Sequence, residues 1–390
     1  MYVEREILGK FEKLRKVSNI IALVGARQAG KTTFLKEHMR GIKSSYLMFD
    51  DPDIRGLFED DVKKFERQHI EGNEVAVLDE VQYCRDAGAK LKYLAEKGHR
   101  LWVTSSSEII LGKDILSYLV GRVSILKMYP FSLAEFLAAK SRKAVNPAIL
   151  RGCVWEHMLY GGYPKVVITE DFETKSLMLN DLYETMILKD IARVFSIEDM
   201  KSLEDFSKYI SVNLGGIMSY ETASKSIGIS FQTLKKYLDA MEKSYLITRV
   251  PPFFTNRSKE ITKRPKVYFV DTGLRNAVAR GFPAEPDGRL FENYVLSELK
   301  KSGFSPKYWR TKSGAEVDFV IEKDGETIPI EAKLSAQPGK VERGLRSFIE
   351  QYKPKKAILV NYRGLNSKTR IGNCTIMLMD VLGMEKILSK

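Results

Sequence analysis

Cysteine and long apolar runs are what this chain has little of, and its acids are outnumbered by bases. Its 390 residues include three cysteines, Cys84, Cys153 and Cys374, scattered and odd in number. That excludes a disulfide framework and fits a reducing compartment. No apolar run approaches the roughly 20 residues of a bilayer-spanning helix, so no membrane partner is expected. The opening residues Met1-Tyr2-Val3-Glu4-Arg5-Glu6 are charged and lack the apolar core of a signal peptide. A cytoplasmic location is the expectation. Acids number 50 against 63 lysines and arginines, a net charge of +13. The excess is uneven: residues 1–195 carry +3 and residues 196–390 carry the other +10. A basic second half predicts a polyanion contacted there, most simply nucleic acid. A lysine-rich surface of the thermophile kind is the plainer alternative. With 44% hydrophobic residues the chain has enough apolar surface for two or three domains.

The strongest local pattern follows the apolar run Ile20-Ile21-Ala22-Leu23-Val24. It reads Gly25-Ala26-Arg27-Gln28-Ala29-Gly30-Lys31-Thr32, then Thr33-Phe34-Leu35 in a helical pattern. Strand, G-x-x-x-x-G-K-T loop and helix form a cradle for phosphates. Backbone N–H groups point at phosphate oxygens and the helix adds the positive end of its dipole. Gly25 through Thr33 are therefore the candidate ATP-binding residues. Lys31 supplies charge for the β- and γ-phosphates, and the Thr32 hydroxyl can ligate magnesium. The second apolar strand, Glu74-Val75-Ala76-Val77-Leu78-Asp79-Glu80, ends in two acids. Asp79 is expected to hold Mg2+ and Glu80 to polarise the attacking water. A third strand, Leu101-Trp102-Val103-Thr104, runs into Ser105-Ser106-Ser107, polar residues placed to sense the γ-phosphate. A serine-rich turn is the simpler reading of that stretch.

Along the chain, residues 1–140 alternate strand-like and helix-like segments, which predicts a mostly parallel sheet covered by helices. Residues 141–200 read as a helical lid, broken at Gly161-Gly162-Tyr163-Pro164. Residues 201–280 read as a winged helix-turn-helix. Two helices meet through Gly228-Ile229-Ser230, and strands Tyr245–Val250 and Val267–Val270 flank a basic stretch. Candidate DNA contacts are Gln232, Thr233, Lys235 and Lys236 on the second helix, with Arg257, Lys259, Lys263 and Arg264 in the wing. A winged helix used only to dock protein domains is the alternative.

Residues 285–390 form the last expected domain. Phe291, Val295 and Leu299 recur every four residues, predicting a helix from Leu290 to Lys301 that carries Glu292. Further on, Asp324-Gly325 is a two-residue hairpin loop between Glu316–Lys323 and Glu326–Lys333. That loop sets the register: paired numbers sum to 649, so Asp318 faces Glu331, and Lys333 shares their face. Two carboxylates so placed repel unless a cation or a proton separates them, and magnesium is the natural cation. A solvated hairpin face with Lys333 neutralising both acids is the competing reading.

Glu292, Asp318 and Glu331-Ala332-Lys333 resemble the signature of the PD-(D/E)XK nuclease superfamily, archaeal Holliday-junction resolvases especially. The resemblance implies Glu292, Asp318 and Glu331 as magnesium ligands and Lys333 as catalytic. The whole chain is similar to AAA+-type ATPases of archaea and bacteria that carry a trailing domain of unknown function. The matching pieces are the loop Gly25–Thr33, Leu78-Asp79-Glu80-Val81-Gln82, Gly121-Arg122, Pro130-Phe131-Ser132 and Glu135-Phe136. Gly161-Gly162-Tyr163-Pro164, Lys189-Asp190-Ile191, Asp271-Thr272-Gly273-Leu274 and Phe291-Glu292-Asn293 complete the set. It implies ATP binding and hydrolysis, with Arg122 reaching the phosphates of its own or a neighbouring subunit in a homo-oligomer. Thr104-Ser105-Ser106 departs from the Thr-Gly-Ser common in relatives. The expected architecture is an α/β chain: a P-loop NTPase sheet with a helical lid, a winged helix-turn-helix, and an α/β restriction-endonuclease-like domain. The expected activity is magnesium-dependent ATP hydrolysis coupled to binding of duplex or branched DNA. A nucleotide-regulated structure-selective endonuclease is one alternative. A nucleotide switch or scaffold with an inactive nuclease-like domain is the other.

Overall fold

Three five-residue runs, Ile20–Val24, Val75–Asp79 and Leu101–Ser105, are buried along their whole length. Strands covered on both faces need such continuous apolar sequence, and they sit at the centre of a parallel sheet. The computed structural model of the protein describes residues 2–108, 119, 121–141, 146–254 and 264–389. It divides into two compact units.

The first unit comprises Met1–Phe131, Thr185–Glu198 and Lys243–Tyr245. Its sheet contains β1 (Ile20–Val24), β2 (Ser44–Met48), β3 (Val75–Asp79), β4 (Leu101–Ser105) and β5 (Val123–Lys127), in the order β2-β3-β4-β1-β5. Every pairing is parallel, as the strand–helix alternation predicts. The edge strands β2 and β5 are only partly buried. This order brings the carboxyl ends of β1, β4 and β3 side by side, the place where α/β sheets bind ligands.

The second unit comprises Ser132–Glu184, Asp199–Glu242 and Leu246–Lys390. The stretch 141–200, expected as a lid, is thus shared: its helices Pro147–Tyr160, Pro164–Ile168 and Phe172–Thr185 belong almost wholly here. Its final part, the π-helical Met186–Arg193, belongs to the first unit. The helix Tyr220–Ile227, capped by Ser219 and ended by Gly228, leads through Ser230 to the helix Phe231–Lys243. Strands β6 (Ile247–Val250) and β7 (Lys266–Phe269) then pair antiparallel.

The remaining strands form one mixed sheet. They are β8 (Lys307–Arg310), β9 (Glu316–Lys323), β10 (Glu326–Lys333), β11 (Lys356–Asn361), β12 (Ser367–Ile371) and β13 (Cys374–Met379). Their order is β12-β13-β11-β10-β9-β8. Asp324 and Gly325 have φ of 50° and 76°, the left-handed pair that a two-residue hairpin loop requires. The β9–β10 register runs from Lys323↔Glu326 to Phe319↔Ile330, each pair summing to 649 as the loop dictates. The helix Gly288–Lys301 begins two residues before the expected start, at the cap Asp287, and packs on β10. The helix Arg343–Tyr352 packs on β9, burying Leu345, Phe348 and Ile349 with Trp309, Val317 and Val320.

Two of the sequence motifs close one joint of this unit. Buried Asp271 accepts hydrogen bonds from the amides of Gly162, at 2.8 Å, and Leu274, at 3.0 Å, so it caps the helix Thr272–Val278. A Cβ on Gly161 would lie 2.0 Å from Asp271 Oδ1, so only glycine fits there.

Candidate functional site

The phosphate loop leaves β1 and enters the helix Lys31–His38 at once. Amides of that first turn have no carbonyl partner within the helix. The loop is held tightly against its own sheet. Gly25 donates to Ser105 O at 3.1 Å, and a Cβ at Gly25 would meet Met128 O at 1.9 Å. Buried Arg5 braces the other end, donating to Ala29 O at 2.7 Å. Lys31 is buried, and its Nζ donates to Gly25 O at 2.8 Å and Ala26 O at 3.0 Å. Burial lowers its pKa, while Glu80, Asp190 and Asp79 pull the other way.

Asp79, at the end of β3, is 2% exposed and takes hydroxyl donors from three elements. Thr32 Oγ1 donates to its Oδ2 at 3.0 Å, Tyr46 also donates to Oδ2, and Thr104 donates to Oδ1. Glu80 follows with a left-handed φ of 62°, its amide donating to Thr104 Oγ1 at 2.9 Å. Its carboxylate accepts from Gln82 Nε2 at 2.5 Å and from the Ser106 amide at 3.3 Å. Despite burial, Lys31 and these donors hold its pKa below the ordinary carboxylate value. Glu80 is therefore anionic at neutral pH and fixed at the sheet edge.

The donor set fits a magnesium nucleotide. A hydroxyl and a carboxylate 3.0 Å apart, both hard oxygens, suit Mg2+, which keeps several waters and takes one or two protein ligands plus phosphates. Sequence reasoning singled out Lys31, Thr32, Asp79 and Glu80, and the structure brings them together. Thr104 and Ser106 join them, although the Thr-Ser-Ser stretch departs from the pattern of relatives.

Sequence reasoning gave no role to two other participants. Tyr46 reaches Asp79 from β2. Asp190, fully buried, accepts from Arg27 Nε at 2.9 Å and from Ser106 Oγ at 3.0 Å. It stands on the π-helical turn Met186–Arg193, an irregularity frequent at functional sites. Its only advance signal was the Lys189-Asp190-Ile191 resemblance.

Arg122 is not in this pocket. It directly precedes β5, and its carbonyl accepts from the Ile20 amide at the start of β1. That is the amino end of the sheet, opposite the phosphate loop, and Arg122 there pairs with Glu96 at 3.0 Å. A reach to the phosphates of its own subunit is ruled out by this position.

In the second unit Asp318, Glu331 and Lys333 lie within mutual electrostatic reach, and Glu292 acts on Asp318 and Lys333. Asp318 accepts from the Ala332 amide at 2.9 Å across the hairpin. Burial raises the Asp318 pKa to about 6, with Glu292 adding to the rise. Burial likewise raises Glu331 to about 8, with Asp318 adding to it. Glu331 is 2% exposed and, among the described residues, its Oε2 has no hydrogen-bond partner. Glu292 is otherwise engaged: Lys266 Nζ lies 3.1 Å from its Oε1, and Tyr268 donates to the same atom at 2.5 Å. The Lys266 ammonium also meets Glu316 at 2.5 Å. Among the described residues, no three carboxylate, imidazole or thiolate side chains converge as a ready metal site. The arrangement thus departs from the expected three-carboxylate set, because a buried lysine neutralises Glu292 from within.

Gln232, Lys235 and Lys236 are exposed on the helix Phe231–Lys243, and Thr233 is partly so. Lys235 Nζ stands 4.6 Å over the Phe231 ring. Arg264 is exposed and donates to Ser219 at 3.2 Å. Arg257, Lys259 and Lys263 lie outside the described residues. No helix among the described residues is long and apolar enough to cross a membrane.

Three family models match successive parts of the chain. Residues 17–137 match the AAA domain. Residues 153–285 and 287–379 match two domains of unknown function, DUF8612 and DUF4143. An uncharacterized protein of Haemophilus influenzae is 24% identical over 330 residues, 80% of this chain and 82% of that protein. An uncharacterized protein of Methanocaldococcus jannaschii is 24% identical over 383 residues, 92% of this chain and 84% of its own. Among solved structures, the Walker-type ATPase of Pyrococcus abyssi is similar at 13% identity and a TM-score of 0.48, over 71% of this chain and 96% of that one. The AAA-domain match covers the loop and both strands that carry Lys31, Thr32, Asp79 and Glu80.

Proposed function

We propose that this protein binds and hydrolyses ATP with magnesium and couples nucleotide state to DNA binding through its basic second half. The observation that carries the reading is the convergence of Lys31, Thr32, Asp79 and Glu80 at the carboxyl ends of β1 and β3. The Lys31 ammonium, now on loop carbonyls, neutralises phosphate charge. Thr32 and Asp79 hold the metal. Glu80, kept ionised, orients and deprotonates water, with Gln82 and Ser106 fixing its carboxylate. Bound Mg2+ would supply charge stabilisation at the phosphates. Arg122, remote from its own loop, acts on a neighbouring subunit if the chain assembles into a ring or dimer.

The helices Tyr220–Ile227 and Phe231–Lys243 with the β6–β7 pair have the sequence of elements of a winged helix. Gln232, Lys235, Lys236 and Arg264, with Arg257, Lys259 and Lys263, are its proposed DNA contacts. In this reading the chain runs as an ATPase core (1–140), a lid (141–200), a winged helix-turn-helix (201–280) and a nuclease-like domain (285–390). Titration of a labelled duplex and a labelled four-way junction, with and without ATP, tests the coupling. Affinity indifferent to salt, or identical in both nucleotide states, would sink it.

A second reading, a nucleotide-regulated endonuclease, is favoured by the unpartnered Oε2 of buried Glu331 beside Asp318 and Lys333. Lys266 on Glu292 favours the opposite outcome, an inactive nuclease-like scaffold. Incubating labelled junctions with magnesium or manganese separates the two. Cleavage lost in Asp318→Asn supports the nuclease, and no cleavage by the unaltered protein supports the scaffold.

A further inference from the structure

Beside β8 the second unit carries a cavity of about 410 Å3 that none of the assigned residues except Arg264 enters. One wall is built by backbone pairing. Phe253 donates to Tyr308 O at 2.6 Å and Tyr308 donates to Pro251 O at 3.0 Å, so Pro251–Phe254 runs along the free edge of β8. That fixes half-buried Phe254 as an aromatic face of the cavity, with exposed Ile217 beside it, while Tyr308 is 5% exposed with the Lys266 ammonium 5.7 Å over its ring and only closes the floor. The Tyr308 hydroxyl donates to Arg264 O at 2.8 Å and thereby anchors the opposite rim.

The charged lining is one-sided. Arg264, Arg310 and Lys312 face the cavity and all three are exposed. Arg310 Nε lies 3.6 Å from Glu316, a carboxylate that Lys266 already meets at 2.5 Å. The cavity therefore offers anion-binding charge next to flat aromatic surface. Its volume is in the range of roughly 300–1,000 Å3 typical of small-ligand pockets. An inorganic anion would leave the aromatic wall unused, and an apolar ligand would leave the cations unused. A nucleotide uses both. A paired base in a duplex has its faces covered by its neighbours, so the base must be unpaired to stack.

We infer that this cavity takes one unpaired nucleotide of a nucleic-acid strand, its base against Phe254 and Ile217 and its phosphates on Arg264, Arg310 and Lys312. The inference rests on the proposed DNA association and adds the strand state that is recognised. It also gives the strand a direction. Arg310 pairs with Glu316 on β9, and Asp318 lies two residues further along the same face, about 7 Å away. A strand seated here passes beside the acids Asp318 and Glu331 and their neighbour Lys333.

The test is fluorescence anisotropy with the full chain and a labelled oligothymidylate of about 12 nucleotides, across a salt series. Matched duplex, oligouridylate and oligoglutamate serve as competitors. The expected result is tighter binding of the single strand than of the duplex. In R310A/K312A the log–log salt slope should flatten by about 1.4, two phosphate contacts at about 0.7 each. In F254A affinity should fall about tenfold with the slope unchanged, because stacking carries no counterion release. Removing two cations at the far sheet edge, K368A/R370A on β12, should change neither. Oligouridylate competing equally would extend the site to RNA. If the unaltered chain binds no nucleic acid, the DNA reading itself fails. If it binds but the cavity variants match it while K235A/K236A weakens it, the DNA reading stands and the cavity assignment is overturned. Preference for duplex, or displacement by oligoglutamate as readily as by the strand, also overturns it.

Discussion

Arg27 of the phosphate loop and Asp190 form a buried ion pair at 2.9 Å, joining residues 163 positions apart in the chain. The carboxylate is 1% exposed as a side chain and the guanidinium 18%. Desolvation raises the Asp190 pKa although Arg27 opposes the rise. Its other oxygen accepts from Ser106, whose amide donates to Glu80. One carboxylate therefore links the loop that receives phosphate to the residue proposed to activate water.

The energetic consequence is asymmetric. In R27A the carboxylate stays buried without its cation, which costs about 3–5 kcal/mol. In R27A/D190N the charge is gone while the amide still accepts from Ser106, so part of that loss returns. Urea denaturation without nucleotide should give a coupling energy of about 0.5–3 kcal/mol. Simple additivity of the two changes would mean that the pair has no energetic weight in the folded chain.

Lys31 and Glu80 should separate binding from turnover. K31A removes the ammonium meant for phosphate and should abolish the heat of ATP binding in calorimetry. E80Q keeps an oxygen for Gln82 and the Ser106 amide, so binding should survive. Its turnover should fall by about 10²–10⁴, the usual worth of a general base. An E80Q protein hydrolysing ATP at the unaltered rate would remove Glu80 from the chemistry.

Much of this site was legible because its chemistry is local. A strand, a glycine-bounded loop and a lysine at a helix start occupy consecutive residues, and so do the apolar run and the two acids of β3. The β9–β10 register was legible for the same reason: Asp324-Gly325 admits only one short loop geometry. Asp190 was hidden because nothing near it in sequence marks a carboxylate that crosses 163 positions to the loop. Lys266 gave no signal of its own, because it follows Lys263 and Arg264 at the end of one basic stretch. In fact it is 3% exposed and neutralises acids 26 and 50 positions away. The resemblance left open whether Arg122 reaches the phosphates of its own or a neighbouring subunit, yet its position in the sheet was readable. A residue just before a strand of a parallel sheet lies at the end opposite the phosphate loop.

Lys266 occupies the position of a cation between Glu292 and Glu316. Removing it should cost about 3–5 kcal/mol, because two carboxylates stay partly buried without compensation. K266A should then gain thermal stability from added magnesium, an ion that binds the folded state alone. The unaltered protein should gain less. K266M/E292Q, lacking both charges, should be more stable than K266A and insensitive to the metal. Equal responses to magnesium in K266A and in the unaltered chain would show that the ammonium does not stand in for a metal.

Glu331 sets a pH dependence whose sign can be worked out. Burial lifts its folded pKa to about 8, while the unfolded chain titrates near the ordinary carboxylate value of about 4.3. Between those values the folded state keeps a proton that the unfolded state has lost. Stability from this group is therefore fully present below about pH 4 and is lost as pH rises through about 8. Asp318, raised to about 6, adds loss over the lower part of the same window. The full span for Glu331, from about 4.3 to about 8, corresponds to about 5 kcal/mol. In metal-free buffer, E331Q should flatten the fall in urea midpoint between pH 5 and pH 9 and be the more stable protein at the alkaline end. At pH 4 the two should unfold together, because the carboxyl is protonated there in both states of the parent. A parent curve that rises with pH over this range, or an E331Q curve parallel to it, would show that Glu331 is ionised in the fold and that the cluster carries its charge by other means.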